Sequence, residues 1–379
     1  MLAGKYDENN DILNEIYKLT DQGQRKLGLR YDLTVPFAKF IALNKNELKL
    51  PFKRYEINKV FRDGPVKVGR DREFTQCDVD VVGIDNQVVE AELLNLYVDA
   101  FKKLNIPIII KYNSRKLMSG LIIESGVDED KVSETITIVD KINKLSEEDF
   151  KLELTKIGLV DDQIDKLLKY FKMNLKELNK EFKKTENILI KEGLEELNNL
   201  EELIKYLKIT KYCEFTSSLA RGQDYYTGNV FEVYEANGKL SGSIGGGGRY
   251  DKMITEFIDD GNTYPAVGIS FGLTSIFALL KDVINKQNKL DFYIIPMNTN
   301  KESLSIACKL RKLGYKVDME MNNKKLKKAL DFANKENIPY VIIIGEDEIN
   351  NNKLNIKDMV NSKTIEISID EIDKLKEIL

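Results

Sequence analysis

The segment VFRDGPVKVGRDREFTQCDVDVVG, residues 60–83, crowds Arg62, Lys67, Arg70 and Arg72 around two glycines and a proline. It then alternates Gln76, Asp78 and Asp80 with Cys77, Val79 and Val81. Residues two apart in a strand share a face, so Arg72, Phe74, Gln76, Asp78 and Asp80 point one way and Cys77, Val79 and Val81 the other. With the run before it, the segment predicts a long antiparallel hairpin of strands 52–62 and 72–83 joined by a Gly/Pro loop. The apolar face is expected to pack on a core. The polar face cannot be packed dry, because a buried, unpaired carboxylate is costly. It must line a wet cavity that offers cations something to bind. An ammonium group would suit Gln76 and Asp80. Phosphates would suit Arg62, Arg70 and Arg72, since guanidinium forks match phosphate oxygens in pairs. On this stretch alone a solvated surface hairpin is an equally good reading.

Outward from the hairpin, 26–45 reads as a turn and an amphipathic helix around TVPFAKFIAL. QVVEAELLNLYVDAFKKL, 87–104, has apolar positions three and four apart and predicts a helix. A short strand, IPIIIKY, follows. Residues 125–208 are rich in Lys, Glu and Leu, lack proline and hold three glycines, which predicts a helical insertion. Strand texture returns at 213–234 and 239–247. Residues 261–280 carry no charge, but only eleven of the seventeen residues in YPAVGISFGLTSIFALL are apolar. Glycines, a proline and hydroxyls interrupt them, so a buried strand leading into a core helix is expected rather than a membrane span. From 289 to 379 strands alternate with helices, implying a separate small α/β domain with a mostly parallel sheet. The expected domains are therefore 1–124 with 209–286, the insertion 125–208, and 289–379.

Composition narrows the chemistry. The chain has 379 residues, 42% hydrophobic and 32% charged, and a formal net charge of −4. This suits a soluble protein of two or three domains and gives no bulk basicity for nucleic acid. There is no histidine, which excludes Ser-His-Asp and Cys-His catalysis and every His-ligated metal site. Cys77, Cys213 and Cys308 lie far apart with no C-x-x-C, so no zinc knuckle or disulfide framework is indicated. The start, MLAGKYDENND, is polar and unlike a signal peptide, and a reducing cytoplasm is the simplest location.

Three further clusters carry candidate chemistry. LARGQDYYTGNVFEVY, 219–234, sets Arg221 before Asp224 and the adjacent Tyr225 and Tyr226, which could wall a flat ring. GSIGGGGRYDKMI, 242–254, has four consecutive glycines followed by Arg249 and Tyr250. Such a run is a poor choice unless backbone must be approached closely. It has the spacing of neither a P-loop nor a dinucleotide fingerprint. GLRYDLTVP, 28–36, places Asp32 and Thr34 at a turn before a helix, where an N-cap role alone would explain them.

Taken together and in order, these stretches resemble the histidyl-tRNA synthetases, a class II aminoacyl-tRNA synthetase family. LGLRYDLTVPFAKF is similar to the family's Leu-Arg-Pro-Glu/Asp-x-Thr element, and residues 61–83 resemble class II motif 2. LARGQDYYTGNVFEVY and GGGRYD resemble the two histidine-specific signatures. AVGISFGLTSIFALL occupies the place of motif 3, and 290–379 is similar to the anticodon-binding domain. The resemblance implies an α/β protein: an α+β catalytic domain built on an antiparallel sheet, a helical insertion and a C-terminal α/β anticodon-binding domain.

It also implies roles. Asp32, Leu33 and Thr34, with Gln76 and Asp80, would lie at the histidine amino group. Tyr225, Tyr226 and Tyr250 would line the imidazole pocket. Arg62 would touch the α-phosphate and the substrate carboxylate, with Arg221 facing them from the other side as the second catalytic arginine. Arg70 and Arg72 would hold the outer phosphates of ATP, whose Mg2+ comes with them. L-histidine, ATP, tRNA-His and a homodimer are the implied partners, with no protein-held metal and no membrane. An alternative is a weakly catalytic paralogue that senses histidine or tRNA as a regulatory subunit.

Two departures stand out. Motif 3 ordinarily ends in Gly-Leu-Glu-Arg, whereas this chain has Gly272, Leu273, Thr274 and Ser275. The family's motif 1, which builds the dimer interface, would precede the point where this sequence starts, so an exposed apolar patch and an open sheet edge are expected.

Overall fold

Two short strands, β1 (Lys18–Thr20) and β2 (Lys26–Gly28), pair antiparallel ahead of the hairpin, which forms between β3 (Phe52–Phe61) and β4 (Glu73–Val82). The computed structural model describes residues 15–66, 71–142, 145–222, 225–285 and 290–375. The chain divides into two units, Met1–Leu279 and Leu280–Leu379. In the first, β5 (Ile108–Ser114), β6 (Cys213–Phe215), β7 (Asn229–Glu235), β8 (Gly245–Arg249) and β9 (Ala266–Gly272) extend the hairpin. The result is a seven-stranded sheet ordered β3-β4-β9-β8-β7-β5-β6. Every pairing is antiparallel except β5 with β6.

Register brings distant residues into rows across this sheet. Glu56, Asp78, Ser270, Gly246 and Glu232 form one row on β3, β4, β9, β8 and β7. Arg54, Asp80, Gly268, Gly248 and Val230 form the next on the same face. Helices Thr34–Asn44 and Asp251–Ile258 share a core with one part of that face through Phe37, Ile41, Met253 and Ile254. Helix Val88–Lys103 packs on the opposite face, where Tyr97 and Phe101 meet Phe271 at centroid distances of 4.7 and 5.7 Å.

That opposite face is only partly covered. Val81 is buried, but Cys77 and Val79 are not. With Tyr55, Leu96, Leu104, Phe271 and Ile276 they line an open apolar groove, and Tyr55 is 74% exposed. The expectation that this face packs on a core is thus met only at its Val81 end. Among the described residues β3 ends the sheet with no strand on its outer side.

Residues 125–208 hold helices and no strand among the described residues. Ser146, Asn174 and Asn187 cap three of them with side-chain oxygens. The core of this region, including Phe150, Leu154 and Leu167, runs on into Met118, Ile122 and Ala220 outside it. The continuous strand expected over 213–234 is interrupted. Residues 216–228 contain no strand among the described residues, and Asn113 anchors them by donating to the carbonyls of Ser217 and Leu219. The second expected strand begins at Gly245 rather than at 239.

In the second unit, β10 (Phe292–Pro296), β11 (Val317–Met319), β12 (Tyr340–Ile344), β13 (Lys353–Asp358) and β14 (Lys363–Ser368) are ordered β11-β10-β12-β13-β14. The first three are parallel and the last two pairings antiparallel. Helix Asn300–Lys312 packs with Phe292, Ile294 and Ile342. Helix Leu326–Lys335 packs with the alternate residues Tyr293, Ile295 and Val341. The sheet is covered on both faces, as its continuous apolar strands require. Among the described residues no helix is long and apolar enough to cross a membrane.

Candidate active site

The polar face of the hairpin lines a cleft. Asp32, Thr34, Arg62, Gln76, Asp80, Arg221, Tyr225, Tyr226 and Tyr250 all border it, although they come from five separate stretches of chain. Six residues that sequence reasoning did not assign to the site join them: Asp78, Gly246, Gly247, Gly268, Ile269 and Ser270.

Two arginines border the cleft. The Arg62 guanidinium lies 4.2 Å from the Tyr31 ring centroid and 5.0 Å from that of Phe74, and its Nε donates to the Tyr31 carbonyl at 3.3 Å. This stacking fixes a flexible cation. Arg221, on the loop before β7, donates from Nη1 to Glu232 Oε1 at 2.7 Å, and its Nε is buried with no partner. A Cβ at Gly246 would stand 2.7 Å from Arg221 Nη1, so the glycine leaves room for the guanidinium to lie on the sheet. A Cβ at Gly248 would stand 2.6 Å from the Asn229 carbonyl and 2.8 Å from the Tyr226 ring. From beneath, the Tyr97 hydroxyl sits 3.0 Å from the Gly246 carbonyl and 2.9 Å from that of Ser270.

Three carboxylates border the cleft as well. Asp32 Oδ1 accepts from the Val35 amide at 3.0 Å, so the same side chain caps the helix and borders the cleft. Asp80 is 2% exposed and holds Tyr250 and Arg54: the tyrosine donates to Oδ1 at 2.6 Å, and Arg54 Nη2 lies 2.9 Å from Oδ2. Burial pushes the Asp80 carboxyl upward, and the Arg54 charge opposes this. Arg54 also stacks at 3.8 Å on Phe37, pairs with Glu56 and donates to the Leu33 carbonyl. Asp78 has no such cation. Burial, then the charge of Asp80, pushes its carboxyl from the ordinary 3.8 up to about 8.

Two assigned residues stand apart from the cleft. The Leu33 side chain is fully buried, and that residue offers only its carbonyl, already taken by Arg54. Arg72 is exposed, and its Nε donates to the Gly64 carbonyl at the loop end. Arg70 falls outside the described residues, as does Asp224. Arg249 turns away from the cleft: both arms of its guanidinium bind buried Glu90, at 2.8 and 2.9 Å, and it also donates to the Ile84 and Asn86 carbonyls. It fastens the glycine strand to helix Val88–Lys103, while Tyr250 beside it enters the cleft.

An antiparallel sheet whose cleft is bordered by Arg62 and Arg221 together with Asp32, Asp78 and Asp80 has the frame of a class II synthetase-type centre. Comparison with known proteins makes this particular. The histidyl-tRNA synthetase family model matches residues 5–276, and an anticodon binding domain model matches 291–378. Histidine–tRNA ligase 2 of Shouchella clausii is 45% identical over 363 residues, spanning 95% of this chain and 85% of that protein. Histidine–tRNA ligase 1 of Bacillus cereus is 42% identical over 376 residues, spanning 99% and 88%. The crystal structure of a histidyl-tRNA synthetase from Nostoc superposes with a TM-score of 0.80 at 29% identity, covering 98% of this chain and 90% of that one. The chain belongs to the histidyl-tRNA synthetase family.

Proposed function

We propose that the cleft activates L-histidine with ATP and passes the histidyl group to tRNA-His. The observation that carries this reading is the joint placement of Arg62 and Arg221 with Gln76, Asp78 and Asp80 around one cavity. The relatives are named as ligases and the anticodon-binding match covers most of the second unit, so a purely regulatory role is not favoured.

In the first step a histidine carboxylate oxygen attacks the α-phosphorus of ATP, the bond to the β-phosphate breaks, and pyrophosphate leaves. The carboxylate is already ionised near neutral pH, so no general base is required. This accords with a chain that has no histidine. Alignment and charge neutralisation do the catalysis. Arg62 and Arg221 hold the α-phosphate and the substrate carboxylate from two sides, and the outer phosphates extend out of the cleft to Arg70 and Arg72, the latter at the exposed loop end. Mg2+ enters with ATP as its counter-ion. Asp32, Thr34 and Gln76 meet the amino group; Asp80, expected there too, is instead held by Arg54 and Tyr250, and with Tyr225, Tyr226 and Tyr250 it surrounds the imidazole. In the second step the 3′-hydroxyl of the terminal adenosine attacks the histidyl carbonyl and AMP leaves. The second unit contacts the anticodon.

ATP–pyrophosphate exchange with each amino acid in turn tests the reading. Exchange with histidine alone is expected; silence with all twenty would overturn it. We infer further that the protein works as a cytoplasmic homodimer. The uncovered groove around Tyr55, Cys77 and Val79 supports this, because a contiguous apolar surface beside an open strand is best explained by a partner. Sedimentation as a monomer at micromolar concentration would contradict it.

A further inference from the structure

Two acceptors in the cleft have no partner: Gln76 Oε1 and Asp78 Oδ1, both buried. They stand two residues apart on the same face of β4, roughly 7 Å along the strand. A hydrogen-bond relay fixes their orientation. Gln76 Nε2 donates to Ser270 Oγ at 2.7 Å, which leaves the serine proton for Asp78 and turns Gln76 Oε1 and Asp78 Oδ1 outward from that contact. Gln76 and Asp80, by contrast, are four residues apart, roughly 13 Å, too far for one ammonium to bridge. Asp80 is moreover already held by Arg54 and Tyr250.

We propose that Asp78 is a further substrate-binding residue: its orphan oxygen, with that of Gln76, accepts hydrogen bonds from the substrate α-ammonium. This rests on the reading that the cleft takes an amino acid. An ammonium has three N–H donors and a positive charge, which is what a buried carboxylate and an amide oxygen side by side lack.

The surrounding charges leave Asp78 in need of that cation. Its neighbours in the row and on the strand are Glu56 and Asp80, and Asp32 faces it from the turn before helix Thr34–Asn44. Arg54 on β3 is committed to Asp80 and Glu56, and Arg221 on the loop to Glu232. The other facing phenols, those of Tyr97 beneath the sheet, Tyr226 on the loop and Tyr250 after the glycine strand, are neutral. In the empty cleft the Asp78 carboxyl therefore keeps a proton near pH 7, with burial and Asp80 raising it to about 8. Entry of the ammonium favours the ionised form, and the proton goes to solvent.

Calorimetric titration of the full chain with histidine and with 3-(imidazol-4-yl)propionate, which lacks the amino group, tests this. For the wild type at pH 7.5, buffers of different ionisation enthalpy should show net release of one proton, in part or in full, on binding histidine. Asp78→Asn should abolish that release and weaken histidine binding by roughly ten- to a hundredfold. The same variant should bind the propionate with unchanged affinity, which also shows that it is folded. Equal histidine affinity in the two proteins would overturn the proposal, and so would parallel loss of both ligands. If wild type binds neither, the amino-acid reading itself fails.

Discussion

Tyr250 donates its phenol hydrogen to Asp80 Oδ1 at 2.6 Å, at the buried end of the cleft, while Arg54 occupies the other carboxylate oxygen. The tyrosine follows the glycine run and the aspartate closes the hairpin strand, so this bond joins two segments 170 residues apart. Tyr250→Phe leaves a buried acceptor without its donor. The KM for histidine in pyrophosphate exchange should rise roughly tenfold, the effect of losing a hydrogen bond to a charged group, with little change in the KM for ATP.

The Nε of Arg221 is buried and has no partner. Replacing it by Gln removes charge where negative charge builds up on the phosphate. The exchange kcat should fall by about 10²–10³, while the histidine KM moves much less.

Two neighbouring glycines should respond differently. A Cβ at Gly247 would lie 2.1 Å from the Gly268 carbonyl, a clash with backbone, so Gly247→Ala should lower the melting temperature strongly. At Gly246 the nearest atom is Arg221 Nη1, the end of a flexible side chain. Gly246→Ala should therefore reduce kcat by displacing the guanidinium and cost less stability.

Ser275 sits in the first turn of helix Leu273–Asn285, at the place of the arginine in the Gly-Leu-Glu-Arg pattern, where a guanidinium could lie on a purine ring. Ser275→Arg should lower the KM for ATP by up to about tenfold, the scale of one cation–π contact. An unchanged value would show that another cation already fills this role.

Asp78 also predicts a pH dependence of stability. Its carboxyl is raised when folded, to about 8 from 3.8, so the folded state binds the extra proton between those values. Stability from this group is greatest at low pH and is lost as pH rises towards 8. Without ligand, Asp78→Asn should melt a few degrees above wild type at pH 8, and the difference should close towards pH 4.

Much of the site was readable because strand alternation and helical spacing are local. The hairpin strands expected at 52–62 and 72–83 lie at Phe52–Phe61 and Glu73–Val82, and the 87–104 helix at Val88–Lys103. What escaped depends on register between distant strands. Nothing near Asp78 announces that Ser270 and Gly246 will lie beside it, or that Arg54 will serve Asp80 and leave Asp78 without a cation. Arg249 looked like part of the glycine cluster, yet its partner is Glu90, 159 residues away. Leu33, assigned with its neighbours Asp32 and Thr34, went to the core because successive side chains in the turn point in different directions.

The pairing of β4 with β9 has a consequence for synthesis. Gln76 faces Gly272, so the cleft floor joins residues made nearly two hundred codons apart, with the whole 125–208 region emerging between them. A nascent chain on the ribosome cannot assemble the floor until β9 has cleared the exit tunnel, and until then the acidic face of the hairpin stays in water. The ability to grip a substrate thus arrives late and all at once, with the last strand of the sheet.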